Sequence, residues 1–298
     1  MTLHVSTDAK DQTTASGGEQ ADFPPVVDCH AHIFQEDMPL SSNAWTRTDY
    51  SFTADDYLAL LDQYGIHFGV ISGLSITGFY NDYMISELRK HRRLRGTAIV
   101  SPAATDRYSL ERMQGDGIVG IRLQLARMAE LPDFRSEEYN LLFRRVRDLD
   151  WHVHVAIEGP ALPPVLAALE ESGVKVVIDH FGHPDPKLGV NCPGYRAVLA
   201  AAERGNTWVK LSGGFRLLGT AAWQTNPNGD ADKIADDLAK DLVSHVGPER
   251  LLWGSDCPFV GYEGRITFDY ALDRFRRWVP DARDRWRISQ TALKLYFS

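Results

Sequence analysis

The feature that most constrains the fold of this chain is a regular alternation of short apolar runs with amphipathic stretches. Eight such runs lie between Val26 and Asp256, namely VVDCHAHI, FGVISGL, RGTAIVS, IVGIRLQL, HVHVAIE, KVVIDHF, TWVKLSG and RLLWGSD. Near-continuous apolar runs of this length are typical of strands that are covered on both faces. The stretches between them, such as TADDYLALLDQYG and DKIADDLAKDLVSHVG, show helical periodicity with capping residues at their ends. The alternation therefore predicts parallel strands joined by crossover helices.

Eight strand and helix repeats predict one (β/α)8 barrel, the TIM-barrel fold, over residues 23–298. An open, doubly wound sheet is the competing α/β architecture, but the first strand lacks the Gly-rich phosphate loop that such sheets often carry. Residues 1–22 are polar and rich in Gly, Ser and Thr, so we expect a flexible N-terminal tail before the barrel.

Composition limits the classes of binding partner and the cellular compartment that we expect for this protein. The net charge of −8 and the pI near 5.7 argue against a general surface for nucleic acid or membrane. The sequence has no apolar stretch of membrane-spanning length and no signal-peptide core. Its cysteines, Cys29, Cys192 and Cys257, form no closely spaced pair, so we expect a cytoplasmic protein without disulfides.

The C-terminal segment FRRWVPDARDRWRIS is rich in Trp and Arg. We interpret it as the last amphipathic helices, packed on the barrel. A contact surface of a homo-oligomer is the alternative, which the sequence leaves open.

Polar side chains accumulate where the predicted strands end. Active sites of (β/α)8 barrels lie at the C-terminal ends of the strands, so these side chains are expected to converge on one mouth. Because a strand alternates its faces, His30 and His32 point the same way. The full set is His30, His32, Arg122, Gln124, His152, His154, Asp179, His180, His183, Lys210, Ser212, Ser255 and Asp256.

Single members of this set have simpler structural interpretations. His152 alone on a strand fits a hydrogen-bonded core residue. Asp179 precedes His180 and is expected to face the opposite side, towards the helices, with a buried structural hydrogen bond. Lys210 follows an apolar run and fits a side chain that extends to the surface. The motifs HAH, IDHFGHP and WGSDCP are different, because three separate strand ends would each need an independent explanation.

Imidazoles together with a carboxylate suit two related chemistries. They are ligands for zinc or another divalent metal ion, and an open coordination position on such an ion generates hydroxide near neutral pH. Without a metal, the same imidazoles can donate hydrogen bonds to a substrate carbonyl and stabilise the oxyanion that forms on attack. In both cases Asp256 is the expected proton acceptor for the attacking water. The residues predict hydrolysis, with a divalent metal or without one, and with no organic cofactor.

In combination, six motifs resemble the amidohydrolase superfamily from Val26 to the C-terminus, and more narrowly its 2-pyrone-4,6-dicarboxylate lactonase-like branch. They are DCHAHIF, GIVGIRLQL, DWHVHVAIEG, VVIDHFGHPD, WVKLSGGFR and LLWGSDCPF. The resemblance implies a barrel of amidohydrolase type in which His30, His32 and His180 surround the scissile carbonyl. It also implies that Asp256 is the base that activates water.

The same resemblance implies a set of substrate-binding residues. Arg122 in GIR and Arg216 in SGGFR occupy positions at which the lactonases hold substrate carboxylates. A guanidinium suits a carboxylate or a sulfonate because it offers paired N–H donors. Arg127 is a third candidate, for which a solvated surface role is the alternative. Ser75 matches a polar lactonase position, for which turn capping is the alternative.

The chain also departs from the dicarboxylate lactonases. Ala156 stands where they carry a tyrosine on strand five, and His154, two residues earlier, adds a potential metal ligand. PFV follows strand eight where the lactonases have a histidine after the proline. These differences count against the pyrone dicarboxylate itself and favour a metal. The candidate metal ligands are His30, His32, His154, His180 and Asp256.

The leading hypothesis is hydrolysis of a small carboxylated or sulfonated lactone from the degradation of aromatic compounds. The related muconolactone-type hydrolases, including 4-sulfomuconolactone hydrolases, belong to the same superfamily. A zinc-dependent decarboxylase or amidohydrolase acting on a small carboxylated substrate is the alternative, since relatives with similar strand ends break C–C or C–N bonds. A non-catalytic binding protein is disfavoured because His30, His32, His180 and Asp256 are all present.

Overall fold

The computed structural model describes residues 24–219 and 230–298, and it contains all eight predicted strands in one parallel sheet. Each strand pairs with the next along the chain, so the order in the sheet is the order in the sequence. The strands are β1 (Val27–Ala31), β2 (Phe68–Ser72), β3 (Leu94–Ala98), β4 (Ile118–Gln124), β5 (His152–Ala156), β6 (Lys175–Ile178), β7 (Thr207–Leu211) and β8 (Leu251–Trp253).

The first and last strands lie side by side and nearly close the sheet into a barrel. Ala31 in β1 forms a parallel bridge with Cys257, just after β8. The Asp256 N–H donates to the His30 carbonyl at 2.8 Å, and the His32 N–H donates to the Cys257 carbonyl at 2.9 Å. The predicted (β/α)8 barrel is confirmed, and its closing seam passes through candidate site residues.

Helices follow the strands and bury their apolar faces against the outside of the sheet. Thr53 and Asp56 form a capping box at the start of α1, and Gly173, in the left-handed region with φ of 71°, ends α5. Within the described ranges the helices are α1 (Ala54–Gln63), α2 (Asp82–Lys90), α3 (Arg107–Gly115), α4 (Glu137–Asp148), α5 (Leu162–Ser172), α6 (Pro193–Glu203), α7 (Asp230–Val246), α8 (Phe268–Trp278) and α9 (Ala282–Tyr296).

The amino-terminal end of the barrel interior, which we call the floor, is filled by apolar side chains of the strands and by α9. Tyr296 of α9 is 2% exposed, and its ring lies 4.9 Å from that of His152. Phe275, Trp278 and Ile288 of the C-terminal segment are buried in the apolar core, so the expected packing of this segment as amphipathic helices is observed. The apolar cluster at the floor contains Val27, Cys29, Val70, Val177, Leu252, Ala292 and Tyr296.

Three further sequence expectations concern segments and cysteines. The predicted flexible tail over residues 1–22 lies outside the described residues and stays a prediction. In the part of the chain that is described, no helix combines the length and the apolar character needed to cross a bilayer. Cys29, Cys192 and Cys257 are buried and form no disulfide.

Candidate active site

Four side chains that the sequence predicts as catalytic converge where β1, β6 and β8 end. The Nε2 atoms of His30, His32 and His180 lie 3.7, 3.8 and 3.9 Å from the same oxygen, Oδ1 of Asp256. The Nε2 atoms of His30 and His32 are 3.3 Å apart. All four residues are buried, and we call them the mouth cluster. One carboxylate oxygen is thus surrounded by three imidazoles.

The backbone departs from regular strand geometry where these side chains enter the site. The register between β1 and β2 shifts between Asp28 and Ala31, and both His30, within this irregularity, and His32, just after it, face the interior. Asp256 and His180 have φ angles of 68° and 49°, in the left-handed region that non-glycine residues rarely adopt. Such strained positions persist only where the surrounding structure holds them.

A buried aspartate, Asp28, fixes the loop that carries Asp256. Its Oδ1 accepts hydrogen bonds from the N–H groups of Ser255 at 2.8 Å and His30 at 3.1 Å, and its Oδ2 accepts from the Ser255 hydroxyl at 2.5 Å. Burial raises the pKa of Asp28 to about 6. Sequence reasoning missed this role, although a charged residue within the apolar run of β1 was a signal for it.

Two imidazoles of the mouth cluster are oriented through Nδ1. The Ser72 carbonyl lies 2.8 Å from His32 Nδ1, and because a carbonyl oxygen only accepts, that nitrogen carries the proton and Nε2 presents a lone pair. His180 Nδ1 lies 2.8 Å from the Ser212 hydroxyl. Burial lowers the pKa of His32 and of His180 to about 3, so both rings are neutral near pH 7.

The prediction that His152 and His154 converge with the others at the mouth is wrong. His152 is the first residue of β5 and His154 its middle residue, and their rings lie 4.9 and 5.8 Å from the ring of Tyr296 at the floor. His154 Nε2 lies 3.4 Å from the Tyr296 hydroxyl and its Nδ1 lies 3.1 Å from Lys210 Nζ. Because both ring nitrogens have these partners, the structure does not bring His154 to the mouth cluster as a metal ligand.

The expected positions of Asp179 and Lys210 are also corrected. Asp179 lies on the same interior face of the strand as Val177, two residues earlier. The left-handed backbone at His180 turns the His180 side chain inward as well. Asp179 Oδ2 accepts from Arg122 Nε at 3.0 Å, and its Oδ1 lies 3.0 Å from Lys210 Nζ. Lys210 is completely buried rather than on the surface.

The charges of neighbouring side chains affect the protonation of Asp179 and of Lys210. Burial alone would raise the pKa of Asp179, but Lys210, His30 and Arg122 together hold it well below its usual value. Burial lowers the pKa of Lys210, and the nearby Asp179 opposes that change. The result is an ionised Asp179 enclosed by two cationic side chains.

The two arginines expected to bind substrate lie beside the mouth cluster. Arg216 donates from Nε to Asp256 Oδ2 and from Nη1 to the Val260 carbonyl at 3.0 Å. Arg122, besides its pairing with the buried aspartate, donates from Nη1 to the Gly73 carbonyl at 2.7 Å. Arg216 therefore holds one oxygen of Asp256 while the other faces the histidines.

Arg127 and Ser75 lie on loops at the rim of the mouth, where they contact Trp45. The Arg127 guanidinium stacks over the Trp45 ring, with Cζ 4.2 Å from the ring centre, and Trp45 Nε1 donates to Ser75 Oγ at 3.1 Å. These loops follow β4, β2 and β1, so they open at the same end of the barrel as the mouth cluster. Sequence reasoning missed Trp45, because one tryptophan in a polar loop carries no spacing signal.

Three members of the mouth cluster fit a divalent metal ion. One ligand atom from each of His30, His32 and Asp256 lies within 4.8 Å of the other two. Two nitrogens bound tetrahedrally to zinc at about 2.1 Å are about 3.4 Å apart. The observed separation of the His30 and His32 Nε2 atoms is 3.3 Å. The lone pair on His32 Nε2, fixed by Ser72, is the form that a metal requires.

Comparison with known proteins points to one family. The family model described as amidohydrolase matches residues 27–297. The 4-sulfomuconolactone hydrolase of Rhizobium radiobacter is 28% identical over 269 residues, which cover 88% of this chain and 86% of that protein. The 2-pyrone-4,6-dicarboxylate hydrolase of Comamonas testosteroni is 29% identical over 256 residues, covering 84% and 82%.

A solved structure agrees with these matches. A probable 2-pyrone-4,6-dicarboxylic acid hydrolase from Acinetobacter baumannii, crystallised with citric acid bound, superposes with a TM-score of 0.84 at 29% identity. The superposition covers 91% of this chain and 99% of that one. The likeness therefore extends over nearly the whole barrel.

Proposed function

The chain belongs to the amidohydrolase family, and from that premise we propose that it hydrolyses a small lactone that carries a carboxylate or sulfonate group. Its relatives are named for 4-sulfomuconolactone and for 2-pyrone-4,6-dicarboxylate, which are both anionic lactones. The observation that carries the proposal is the approach of three imidazoles to one oxygen of Asp256, with an arginine on the other oxygen.

Asp256 is the base in this proposal. Because Arg216 holds Oδ2, Oδ1 is the oxygen that accepts a proton from water. His32 Nε2, 3.8 Å from Oδ1, presents a lone pair and accepts the second hydrogen of the same water. Two acceptors on neighbouring sides of the water direct its oxygen towards the substrate.

In this proposal, His30 and His180 polarise the carbonyl group of the lactone. Their Nε2 atoms lie 3.7 and 3.9 Å from Asp256 Oδ1, so a carbonyl carbon placed above the water has its oxygen within reach of these rings. Hydrogen bonds from the rings stabilise the oxyanion that forms when water attacks. The C–O bond of the ring then breaks, and the ring oxygen takes the proton held by Asp256.

The arginines select an anionic substrate. Arg216 is partly exposed and has a further pair of N–H donors on Nη2, next to the base. Arg122 adds positive charge beside the histidines, and Arg127 with Trp45 and Ser75 supplies a planar, polar rim. A carboxylate or sulfonate on the ring fits this distribution of donors.

A divalent metal ion, if bound, would be held by His30, His32 and Asp256 and would supply Lewis-acid polarisation of the carbonyl. The orienting residues would be the same in that case. Ser72 fixes the lone pair of His32, and Arg216 holds the outer oxygen of Asp256.

The test is a panel of pyrone and muconolactone carboxylates and sulfonates, followed by loss of ring absorbance, with the methyl esters as matched neutral controls. At least one anionic lactone is expected to open and its ester to react far more slowly. Opening of no lactone would contradict the proposal. Release of CO2 or ammonia from a carboxylated substrate would instead assign a decarboxylase or an amidohydrolase.

A further inference from the structure

One buried cation, Lys210, lies directly beneath the mouth cluster and is not used by the proposed mechanism. It is 0% exposed, and its Nζ lies 3.1 Å from His30 Nδ1 and 3.1 Å from His154 Nδ1. His154 is in turn held by the Tyr296 hydroxyl, 3.4 Å from its Nε2. A chain of polar contacts thus runs from the floor to the site.

The chemistry of an ammonium group decides which His30 nitrogen carries the proton. An ammonium offers three donors and no acceptor, so an imidazole nitrogen that faces it must present a lone pair. Asp179 Oδ1 lies 3.3 Å from His30 Nδ1 but 3.0 Å from Lys210 Nζ, so this oxygen accepts one of the ammonium hydrogens. The other two hydrogens of Lys210 go to the two imidazoles, at His30 Nδ1 and His154 Nδ1.

We propose that Lys210 is a positioning residue that fixes the tautomer of His30, with Nδ1 as acceptor and the proton on Nε2, where it points into the mouth. The proposal rests on the proposed function, because it makes His30 the hydrogen-bond donor to the carbonyl. The proposal also gives the two histidines of the HAH motif different roles. His30 donates at Nε2, whereas His32, tied to Ser72, accepts at Nε2.

The same tautomer disfavours a metal on His30, because a protonated Nε2 has no lone pair for an ion. Removal of Lys210 would leave Asp179 as the remaining partner of His30 Nδ1, at 3.3 Å, and Arg122 would still pair with Asp179 at 3.0 Å. Nδ1 would then carry the proton and donate to the carboxylate, the arrangement that commonly supports metal-bound histidines. Lys210 therefore sets the balance between a metal-free and a metal-bound site.

The first test uses the wild-type protein, labelled with 15N-histidine and freed of metal by chelation, with His30→Gln to assign the His30 signals. The expected spectrum shows a pyridine-like Nδ1 and a pyrrole-like Nε2 for His30. For His32 the reverse pattern is expected, which provides an internal comparison. A pyrrole-like Nδ1 on His30 would overturn the proposal without any variant of Lys210.

The second test compares Lys210→Met with Lys175→Met, a lysine at the start of the neighbouring strand whose side chain is one-third exposed and paired with Asp150. The Lys210 variant is expected to bind Zn2+ about tenfold more tightly in competition with a chromophoric chelator. The Lys175 variant should match the wild type. Equal or weaker zinc binding by a folded Lys210→Met protein would contradict the proposal, since a merely structural role predicts a loss.

Both readouts are made without a substrate, so they are separate from the test of lactone hydrolysis. If the tautomers are as expected but no lactone opens, the proposed function fails and the positioning role of Lys210 stands. If a lactone opens but His30 has the opposite tautomer, only the inference about Lys210 fails.

Discussion

Both ends of the barrel interior contain buried histidines, but the ring nitrogens make different contacts at the two ends. At the mouth, His32 and His180 are held through Nδ1, and their Nε2 atoms face Asp256. At the floor, the Nε2 atoms of His152 and His154 lie 3.4 Å from the Leu295 carbonyl and the Tyr296 hydroxyl. The two pairs of histidines thus differ in what their Nε2 atoms face.

Burial alone does not distinguish the histidines of the mouth from those of the floor. It lowers the pKa of His32, His180 and His152 to about 3 and that of His154 well below its usual value. All four rings are therefore neutral near pH 7. Only those at the mouth lie beside a carboxylate whose second oxygen is held by an arginine. The comparison predicts that the mouth controls turnover and the floor controls stability.

The largest effect on turnover is expected from Asp256→Asn. An amide cannot take the proton from water, while its size preserves the contacts with the histidines, so kcat should fall by about 10³-fold or more with little change in KM. Steady-state kinetics on a lactone from the panel measure this. The control is Asp116→Asn, which breaks a surface pair with Arg89. Turnover at the wild-type rate by the Asp256 variant would remove it from the mechanism.

Arg216→Met should give the next largest effect. The substitution removes both an anion-binding group and the group that holds Asp256 Oδ2, so kcat/KM should fall by about 10²-fold, with changes in both parameters. Arg204→Met, which breaks a surface pair with Glu170, is the matched control. An unchanged kcat would contradict the orienting role of Arg216, and an unchanged KM would contradict its role in binding.

At the floor, we expect His152 to affect the pH dependence of the unfolding free energy. His152 titrates at about pH 3 when folded and near 6.5 when unfolded, so the unfolded state binds more protons between these values. Its contribution is therefore complete above pH 6.5 and is lost as the pH falls towards 3. In His152→Gln, the slope of unfolding free energy against pH over that window should decrease by about 1.4 kcal/mol per pH unit.

Urea unfolding at several pH values across that window measures the slope. The matched control is His67→Gln, since His67 is exposed, and its slope should equal that of the wild type. A slope unchanged in His152→Gln would show that the floor histidine is not the neutral, buried group described here.

The smallest effect is expected at the rim. Arg127 is exposed and stacked on Trp45, so Arg127→Met should raise KM for an anionic lactone by only about fivefold and leave kcat unchanged. Arg89→Met, at a surface site away from the mouth, should leave KM unchanged. A change in KM as large as that of Arg216→Met would place the main anion contact at the rim instead.

The fold was predictable because its signals are local and repeated. Apolar runs mark the strands, and caps such as Thr53 and Gly173 mark helix ends. The convergence of His30, His32, His180 and Asp256 followed from the rule that strand ends meet at one mouth. None of these inferences required knowledge of a contact distant in sequence.

The depth of a residue along a strand was not predictable in the same way. Periodicity gives the face on which His152 and His154 lie but not their height, which places them at the floor. His180, with its left-handed φ, and the buried Lys210 contact partners far away in the chain, Ser212 and His30. Tautomers follow from such contacts and carry no sequence signal of their own.

The assignment of hydrolysis to the mouth cluster is tested most directly by the same substitution at the two ends of the barrel. His32→Gln and His152→Gln are assayed at neutral pH on one anionic lactone, with folding of each protein verified by circular dichroism. We expect a loss of about 10²-fold in kcat/KM for His32→Gln and a change within about twofold for His152→Gln. Equal losses in the two variants, or a larger loss at the floor, would contradict the assignment of hydrolysis to the mouth cluster.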